Sequence, residues 1–385
     1  MQKSINLIQR VAVSTLFFIN GFLYANWASR LPELEQQLNI SHAQLGSLLF
    51  TLALGAVSAM PFTGWFAMKF GSANVIKLMA VLICFSIVFL AVPDALIAVS
   101  LVFFMIGVSN GAMDVVMNEQ AVLVERNWKK TIMSSFHAVW SIGMAVGAVA
   151  ASLFSKAEIP LQSHLMIVCS FALMIFLFAT RYLIKERVKS DGQSSSFMLP
   201  TKAIIPLGLI AFCGMLSEGA MADWSAIYMN QVIGATEALS ALVVGAFGVA
   251  MTIGRVFGDY LTEKLGKKKL MVMNAIVAIL GFTLALGVAT SLTTVVGFFM
   301  VGLGLATIVP IIYSTAGNTP GISPSLGIAM ATTIGYSGFF VGPPVIGYLG
   351  DVFGLRRGLS FALVLLIIML GIIATQNFQV RKSVD

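Results

Sequence analysis

The sequence predicts an all-α membrane protein with twelve transmembrane helices arranged as two six-helix bundles. Of its 385 residues, 58% are hydrophobic and 10% are charged, whereas soluble globular chains carry about 25% charged residues. Apolar stretches recur along the whole chain, and each is close to the roughly 20 residues that a spanning helix needs. A polar break near the middle separates six stretches from six. The stretches lack the alternation of an outer-membrane barrel strand.

Twelve candidate spans can be placed on the sequence. They cover residues 9–30, 43–69, 73–93, 95–124, 132–154, 162–184, 203–230, 239–263, 268–289, 293–316, 325–349 and 356–377. The first contains Asn20, Asn26 and Trp27 and has no small-x-small cleavage site, so we interpret it as a spanning helix rather than a signal peptide. The three cysteines and three histidines are scattered, so we expect no disulfide framework, no metal site and no cofactor.

The basic residues predict the orientation of the chain. With the N-terminus inside, all but four of the 23 Lys and Arg residues fall on the cytoplasmic side, the exceptions being Arg30, Lys156, Arg356 and Arg357. The positive-inside rule then predicts a multi-pass protein of the cell inner membrane with both termini in the cytoplasm. The net charge of +7 is thereby explained without nucleic acid. We expect a monomer whose partners are the lipid bilayer, protons and a small-molecule solute.

The polar break is the segment Lys185–Lys202, which is rich in Ser and charge. It predicts an N-terminal bundle at 1–186, a cytoplasmic linker at 187–202 and a C-terminal bundle at 203–385. The two halves also repeat short patterns, among them NWA at Asn26–Ala28 and DWS at Asp223–Ser225. Parallel repeats of this kind are typical of major facilitator transporters, which bind substrate near the middle of the membrane between their halves.

The segment Gly254–Lys268, GRVFGDYLTEKLGKK, resembles the loop motif of the major facilitator superfamily. In that family the charged residues of the motif form a cytoplasmic network that latches one conformation. The resemblance implies a latch made of Arg255, Asp259, Glu263 and Lys264. The first-half copy, GWFAMKFG at 64–71, has Met68 where the acid is expected. The alternative is a basic helix end that simply satisfies the positive-inside rule.

Over nearly its whole length the chain resembles the YbjJ-like group of bacterial inner-membrane major facilitator proteins. The resemblance is carried by NWASRLP at 26–32, MDVVMN at 113–118, SEGAMADW at 217–224, SFH at 135–137 and GPP at 342–344. The fourth and fifth spans are also similar to those of proton-coupled L-fucose permeases, with Asp114, Asn118 and His137 at the matching positions. That resemblance implies that Asp114 carries the proton, while His137 stands where those permeases have an amide.

Acidic residues within the spans point to chemistry. Asn110, Asp114 and Asn118 are spaced by four and form one polar stripe on a helix. A charged side chain at the bilayer centre costs about 2.5–3.5 kcal/mol by insertion scales, so Asp114 indicates a proton, ion or substrate site. A structural pair with a cation from another helix is the alternative. Glu218 in the seventh span is predicted to be a second proton-coupling acid.

Glu119 lies one position off this stripe. We expect it to pair with Arg126 or a loop lysine in the cytoplasmic charge layer.

Polar and aromatic residues near these acids are candidate substrate ligands. They are Asn20, Tyr24, Trp27, Asn110, Asn118, His137, Trp140, Ser141, Trp224 and Tyr336. The amides and the histidine can hydrogen-bond a hydroxylated solute, and the rings can stack on the apolar face of a sugar or heterocycle. The alternatives are a packing histidine and aromatic anchors at the membrane interface.

Arg30 is expected at the outer interface, where its side chain can reach water. The alternative is a gate ion pair with Glu33 or Asp223.

These patterns predict a transporter rather than an enzyme, because the sequence offers no P-loop and no nucleophile–base arrangement. We predict a proton-coupled symporter that moves a small polar solute, sugar-like or heterocyclic, by alternating access. One alternative is a proton-linked efflux antiporter for drugs or metabolites. A non-transporting membrane sensor or lipid-flipping protein is the other.

Overall fold

The computed structural model describes residues 2–40, 42–92, 95–185, 199–376 and 378, and within these ranges it contains helices and no strands. The helices are α1 (Gln2–Ala28), α2 (Leu31–Leu38), α3 (His42–Phe70), α4 (Ser72–Val88), α5 (Leu96–Trp128), α6 (Met133–Lys156), α7 (Leu161–Ala179), α8 (Ile205–Gln231), α9 (Glu237–Leu265), α10 (Lys267–Gly287), α11 (Ser291–Leu305), α12 (Ile308–Gly317), α13 (Pro324–Phe353) and α14 (Leu355–Thr375). Single 3-10 turns follow α4 and α7, at Phe89–Ala91 and Thr180–Tyr182.

Twelve helical stretches in the described residues are long and apolar enough to cross a membrane, which confirms the predicted number. Two details differ from the sequence prediction. The tenth span, Ser291–Gly317, is made of α11 and α12 with a break at Ala306–Thr307. The short helix α2 was not predicted, since eight residues fall well below the roughly 20 needed to cross a bilayer.

Glycines with positive φ separate several of the helices. Gly71 lies between α3 and α4 with φ 83°, Gly266 between α9 and α10 with φ 79°, and Gly354 between α13 and α14 with φ 86°. L side chains rarely adopt this conformation, so glycine is the residue that permits each of these abrupt reversals. The repetition of KxG at Lys69–Gly71 and Lys264–Gly266 therefore marks two turns of the same kind.

The chain divides into two compact units. Unit 1 comprises Met1–Lys130, Phe136–Met198 and Pro320–Ala329, and unit 2 comprises Thr131–Ser135, Leu199–Thr319 and Met330–Asp385. The first turn of α13 thus clusters with unit 1, and the first turn of α6 with unit 2. The predicted linker 187–202 lies largely outside the described residues, because 186–198 are not described.

Unit 1 is built around α5, which packs against α3, α4 and α1. The α3–α5 contact is very close at two glycines of α5. A Cβ atom at Gly107 would collide with the backbone carbonyl of Leu52, and one at Gly111 would lie 2.7 Å from the Cα of Ala56. Small residues allow such backbone approach in membrane helices. The polar stripe of α5 is therefore held on a rigid support.

Unit 2 uses the same device between α10 and α11, where Gly281 and Gly297 face each other across the contact. In α13, a Cβ atom at Gly342 would lie 3.0 Å from the Leu216 side chain of α8. The helix continues through Pro343 and Pro344. The glycines near this Pro-Pro pair thus bring α13 close to α8, as helix packing in membranes requires.

Candidate functional site

Asp114 and Asn118 form the centre of a buried polar group in unit 1. Asp114 is 8% exposed and Asn118 is fully buried. The Asn118 amide nitrogen donates to the backbone carbonyl of Asp114 at 2.8 Å and to its carboxyl Oδ1 at 3.1 Å. The spacing of four residues places the two side chains on one face of α5, which is why the sequence could pair them.

His137 of α6 completes this group. Its Nε2 atom lies 3.2 Å from the Asn118 Oδ1 atom. The Asn118 nitrogen already faces two acceptors, so its oxygen must face the histidine. A hydrogen bond then requires that Nε2 carries the hydrogen. The structure thus joins Asp114, Asn118 and His137 in one hydrogen-bonded chain, which we call the acid–amide–histidine chain.

A second hydrogen-bonded chain links α1, α5 and α6. The indole nitrogen of Trp140 donates to Asn20 Oδ1 at 2.9 Å, and the Asn20 amide nitrogen donates to Asn110 Oδ1 at 3.1 Å. Asn110 belongs to the same α5 stripe as Asp114. Ser141 instead donates to the His137 backbone carbonyl of its own helix at 3.1 Å. Six of the predicted site residues are therefore brought together in unit 1 by two neighbouring chains.

Aromatic side chains of α1 flank the second chain. The Tyr24 ring meets the Trp27 ring edge to face at 5.2 Å and lies 6.5 Å from Trp140. Trp27 is buried and packs on Phe103 at 5.9 Å. A small cavity is lined by Tyr24, Trp27 and Asn110, together with apolar residues of α3, α4 and α5. Rings and an amide thus border the same space.

The candidate residues of unit 2 are arranged differently. The half-buried carboxylate of Glu218 on α8 forms an ion pair with Arg255 of α9 at 3.5 Å. Trp224 faces Gly347 of α13, and within the described residues its buried indole nitrogen has no hydrogen-bond partner. Tyr336 packs on Phe339 at 5.8 Å.

The predicted latch residues fall into two groups. Asp259 caps the start of α6: its carboxylate accepts the backbone N–H groups of Ser134 at 2.8 Å and Ser135 at 2.9 Å. A negative charge at a helix N-terminus also interacts favourably with the helix dipole. Glu263 and Lys264 are exposed, and the Lys264 ammonium lies over the Tyr260 ring at 5.6 Å. Asp259 is therefore the motif residue that contacts the start of α6, while Arg255 pairs with Glu218.

A buried polar cluster at the α1–α7 contact was missed by the sequence reasoning. His164 Nε2 lies 2.9 Å from Asn26 Oδ1, and His164 Nδ1 lies 3.2 Å from Arg30 Nη1. Arg30 also donates to the carbonyl of Ile159 at 3.1 Å and forms an ion pair with Glu33. Arginine nitrogens can only donate, so Nδ1 must accept and Nε2 must carry the hydrogen.

The two expectations for Arg30 have different outcomes. The expected interfacial side chain that reaches water is wrong, because Arg30 is 5% exposed. Of the alternative ion pairs, the one with Glu33 is present.

The expectation for Glu119 is met in part. Arg126 of α5 interacts with it electrostatically, as expected, but Glu119 is buried at 5% exposed and does not lie in an open charge layer. The hydroxyls of Ser72 of α4 and Ser325 of α13 also contact it.

Within the described ranges, no three His, Cys, Asp or Glu side chains are grouped in a way that could hold a metal ion.

Comparison with known proteins identifies the family. A profile of the Major Facilitator Superfamily matches residues 13–343. An uncharacterized MFS-type transporter of Yersinia pestis is 31% identical over 94% of this chain and 93% of its own length. The membrane protein MosC of Rhizobium meliloti is 32% identical over 91% of this chain and 86% of its own. Among solved structures, the E. coli fucose:proton symporter FucP superposes with a TM-score of 0.77 at 15% identity, covering 97% of this chain and all of FucP. The chain therefore belongs to the Major Facilitator Superfamily of transporters.

Proposed function

We propose that this transporter is a proton-coupled symporter for a small polar solute and that Asp114 binds the coupled proton. The acid–amide–histidine chain carries this proposal. An amide N–H can donate to one oxygen of Asp114 whether the carboxyl group is charged or neutral. A proton gained or lost on the other carboxyl oxygen would therefore leave the Asn118 contact in place. His137 holds the Asn118 amide in the required orientation through its Nε2 hydrogen.

The second hydrogen-bonded chain supports a solute that bears hydroxyl groups. Two hydrogen bonds join the side chains of Asn20, Asn110 and Trp140. A hydroxyl group of a bound solute could replace either partner in these bonds. Tyr24 and Trp27 supply rings beside Asn110, and rings stack well on the apolar face of a sugar. We propose a neutral monosaccharide or a polar heterocycle as the solute class. The fold similarity to a fucose:proton symporter fits this class.

We propose a supporting role for the candidate residues of unit 2. Glu218 is held by an arginine, whereas the Asn118 amide holds Asp114, so the proposal assigns the coupled proton to Asp114 and gives Glu218 a secondary part. Trp224 and Tyr336 are proposed as further solute contacts.

We also propose the inner-membrane location and the orientation with both termini in the cytoplasm, based on the distribution of Lys and Arg. The division into two bundles joined at 187–202 is part of the same proposal. Reporter fusions at the two ends test the orientation, and an active reporter that requires export would contradict it.

A thermal-shift screen of monosaccharides and polar heterocycles on the purified protein identifies the solute first, because a ligand that binds the folded state raises its apparent stability. Proteoliposomes containing Asp114→Asn then test the proton. Uptake driven by an imposed pH gradient should be lost, while counterflow exchange of labelled solute is retained. Asp351→Asn, which changes an exposed acid of α13, is the control and should transport normally.

Other outcomes of this assay would replace the proposal. Unchanged pH-driven uptake in Asp114→Asn would show that Asp114 does not bind the coupled proton. Efflux of solute driven by the entry of protons would identify an antiporter. A ligand that stabilises the protein but is never transported would identify a sensor.

A further inference from the structure

Glu119 is a buried carboxyl group that the proposed function does not use. It is 5% exposed, and among the described residues its Oε2 atom has no hydrogen-bond partner. The groups around it are the hydroxyls of Ser72 and Ser325 and the guanidinium of Arg126. A charged oxygen buried without a hydrogen bond is costly, whereas a protonated carboxyl group is not charged. The surroundings of Glu119 therefore favour its protonated, uncharged form.

The hydrogen bonds of Gln120, the next residue of α5, determine which donors near Glu119 are available to its carboxyl group. The Gln120 amide nitrogen donates to Ser72 Oγ at 2.9 Å and to the Ile184 carbonyl at 2.9 Å, and its oxygen accepts the Ile184 N–H at 3.0 Å. Both amide hydrogens of Gln120 are thus used in this network, so Gln120 does not donate to Glu119. Ser72 accepts from Gln120, so its own hydrogen is available to Glu119. The second carboxyl oxygen still lacks a donor.

Ser325 lies in the first turn of α13, and this turn packs tightly in unit 1. A Cβ atom at Gly64 of α3 would lie 2.7 Å from Ala329 Cβ and 3.1 Å from the Ser325 carbonyl. The hydroxyl of Ser323 caps the Leu326 N–H at 3.4 Å. The α3 loop motif has Met68 where an acid is expected, so α3 supplies no carboxylate at that motif position. Glu119 of α5 is an acid that contacts Ser325 at this helix start.

The capped start of α6 provides a contrast. Asp259 accepts two backbone N–H groups there, and these donors stabilise its charge. Glu119 faces two hydroxyls and keeps an unpaired oxygen. The start of α6 is thus held by the Asp259 carboxylate, which accepts two N–H groups. The start of α13 lies beside Glu119, whose surroundings favour an uncharged carboxyl group.

We propose that Glu119 is a second proton-binding site and that its proton holds the segment Pro320–Ala329 docked against α3, α4 and α5. When the proton leaves, the carboxylate needs donors or a cation, and the docked arrangement offers one hydroxyl each from Ser72 and Ser325. Arg126 is seven residues further along α5, about two turns on the same face, and its charge already acts on Glu119 in the docked arrangement. Release of the segment lets Glu119 turn towards Arg126 and water.

Proton binding at Glu119 is independent of Asp114 and of the identity of the solute. It is detected by the position of Pro320–Ala329 when neither solute nor proton gradient is present. A failure of Asp114→Asn to affect uptake would leave it standing, and a failure here would leave the Asp114 proposal standing.

The distance between two spin labels, measured by electron–electron resonance on the protein in nanodiscs, tests the proposal. The three native cysteines, which are buried, are replaced, and spin labels are placed at Asn74→Cys and Pro320→Cys, both exposed positions of unit 1. Samples are frozen between pH 5 and pH 9. We expect one short distance at acidic pH and a longer population that grows as the pH rises.

Two variants connect this transition to Glu119. Glu119→Gln should keep the short distance at every pH, because a neutral amide cannot ionise. Ser325→Ala should move the transition to lower pH, since the docked state loses a hydrogen-bonding partner. Glu158→Gln, an exposed carboxylate of unit 1, should behave as the unsubstituted protein. A transition that persists in Glu119→Gln, or a distance that never changes with pH, would overturn the proposal.

Discussion

The Nε2 atom of His137 lies 3.2 Å from Asn118 Oδ1. The direction of this hydrogen bond is determined by the contacts of the nitrogen of the same amide group. This nitrogen faces two oxygens of Asp114, at 2.8 and 3.1 Å. The three residues therefore have one consistent assignment of hydrogens. A side chain at position 137 must donate to Asn118 if the amide is to remain turned towards the acid.

Substitution of His137 by Gln or Leu separates the need for a donor from the need for a ring. His137→Gln can still offer an N–H and should melt near the unsubstituted protein. His137→Leu leaves the buried Asn118 oxygen unpaired, which costs about 1–3 kcal/mol. Thermal unfolding of the purified variants measures the difference. Equal melting temperatures for the Gln and Leu variants would show that this bond contributes nothing to stability.

Asp259→Ala should loosen the start of α6. Loss of a capping carboxylate typically costs about 0.5–2 kcal/mol, and the amide hydrogens of Ser134 and Ser135 would lose their acceptors. Hydrogen exchange of the peptide that contains these two residues should become faster. Asp351→Ala removes an exposed acid of α13 and should leave that peptide unchanged. Unaltered exchange in Asp259→Ala would mean that the cap is not formed in the membrane.

Arg30→Gln tests the buried cluster at the α1–α7 contact. The shorter amide cannot reach Glu33, His164 and the Ile159 carbonyl together, so buried acceptors are left without donors. A loss of about 1–3 kcal/mol is expected for such a group. Melting temperatures of Arg30→Gln and of Arg357→Gln, an exposed arginine of α14, give the comparison. If the two variants are equally stable, the hydrogen bonds of Arg30 in this cluster contribute nothing to the stability of the protein.

Gly107→Ala should destabilise unit 1, because the added Cβ atom meets the backbone carbonyl of Leu52. Overpacking of this kind typically costs about 1–3 kcal/mol. Gly371→Ala in α14 meets nothing within 4 Å, so the better helix propensity of alanine, worth up to about 1 kcal/mol, should preserve or raise its stability. The opposite order of melting temperatures would contradict the close α3–α5 packing.

The sequence was sufficient for the spans and for contacts within one helix. Twelve apolar stretches followed from length and composition, and the Asp114–Asn118 contact followed from a spacing of four. Asn20 and Trp140 are 120 residues apart, and Asn26 and His164 are 138 apart. Helical periodicity describes one helix at a time and cannot match such pairs. The YbjJ-like grouping and the individual site roles stay predictions.

Glu119 shows a second limit of sequence reasoning. Its place one position off the polar stripe suggested the cytoplasmic charge layer. Periodicity shows which face of a helix a residue occupies, but not which other part of the chain packs over that face. In the structure the first turn of α13, about 200 residues later in the sequence, covers it. Short α2 is a related case, since its eight residues carry too few periodic positions to predict a helix.

The backbone contact of α3 with Gly107 and Gly111 of α5 restricts how the protein could respond to the proton proposed for Asp114. Two helices in contact through their main chains have no flexible side chains between them to absorb a sliding motion. Asp114, one turn beyond Gly111, thus belongs to a rigid pair of helices. A change in its charge is better transmitted sideways, through the Asn118 amide to α6, than along the axis of α5.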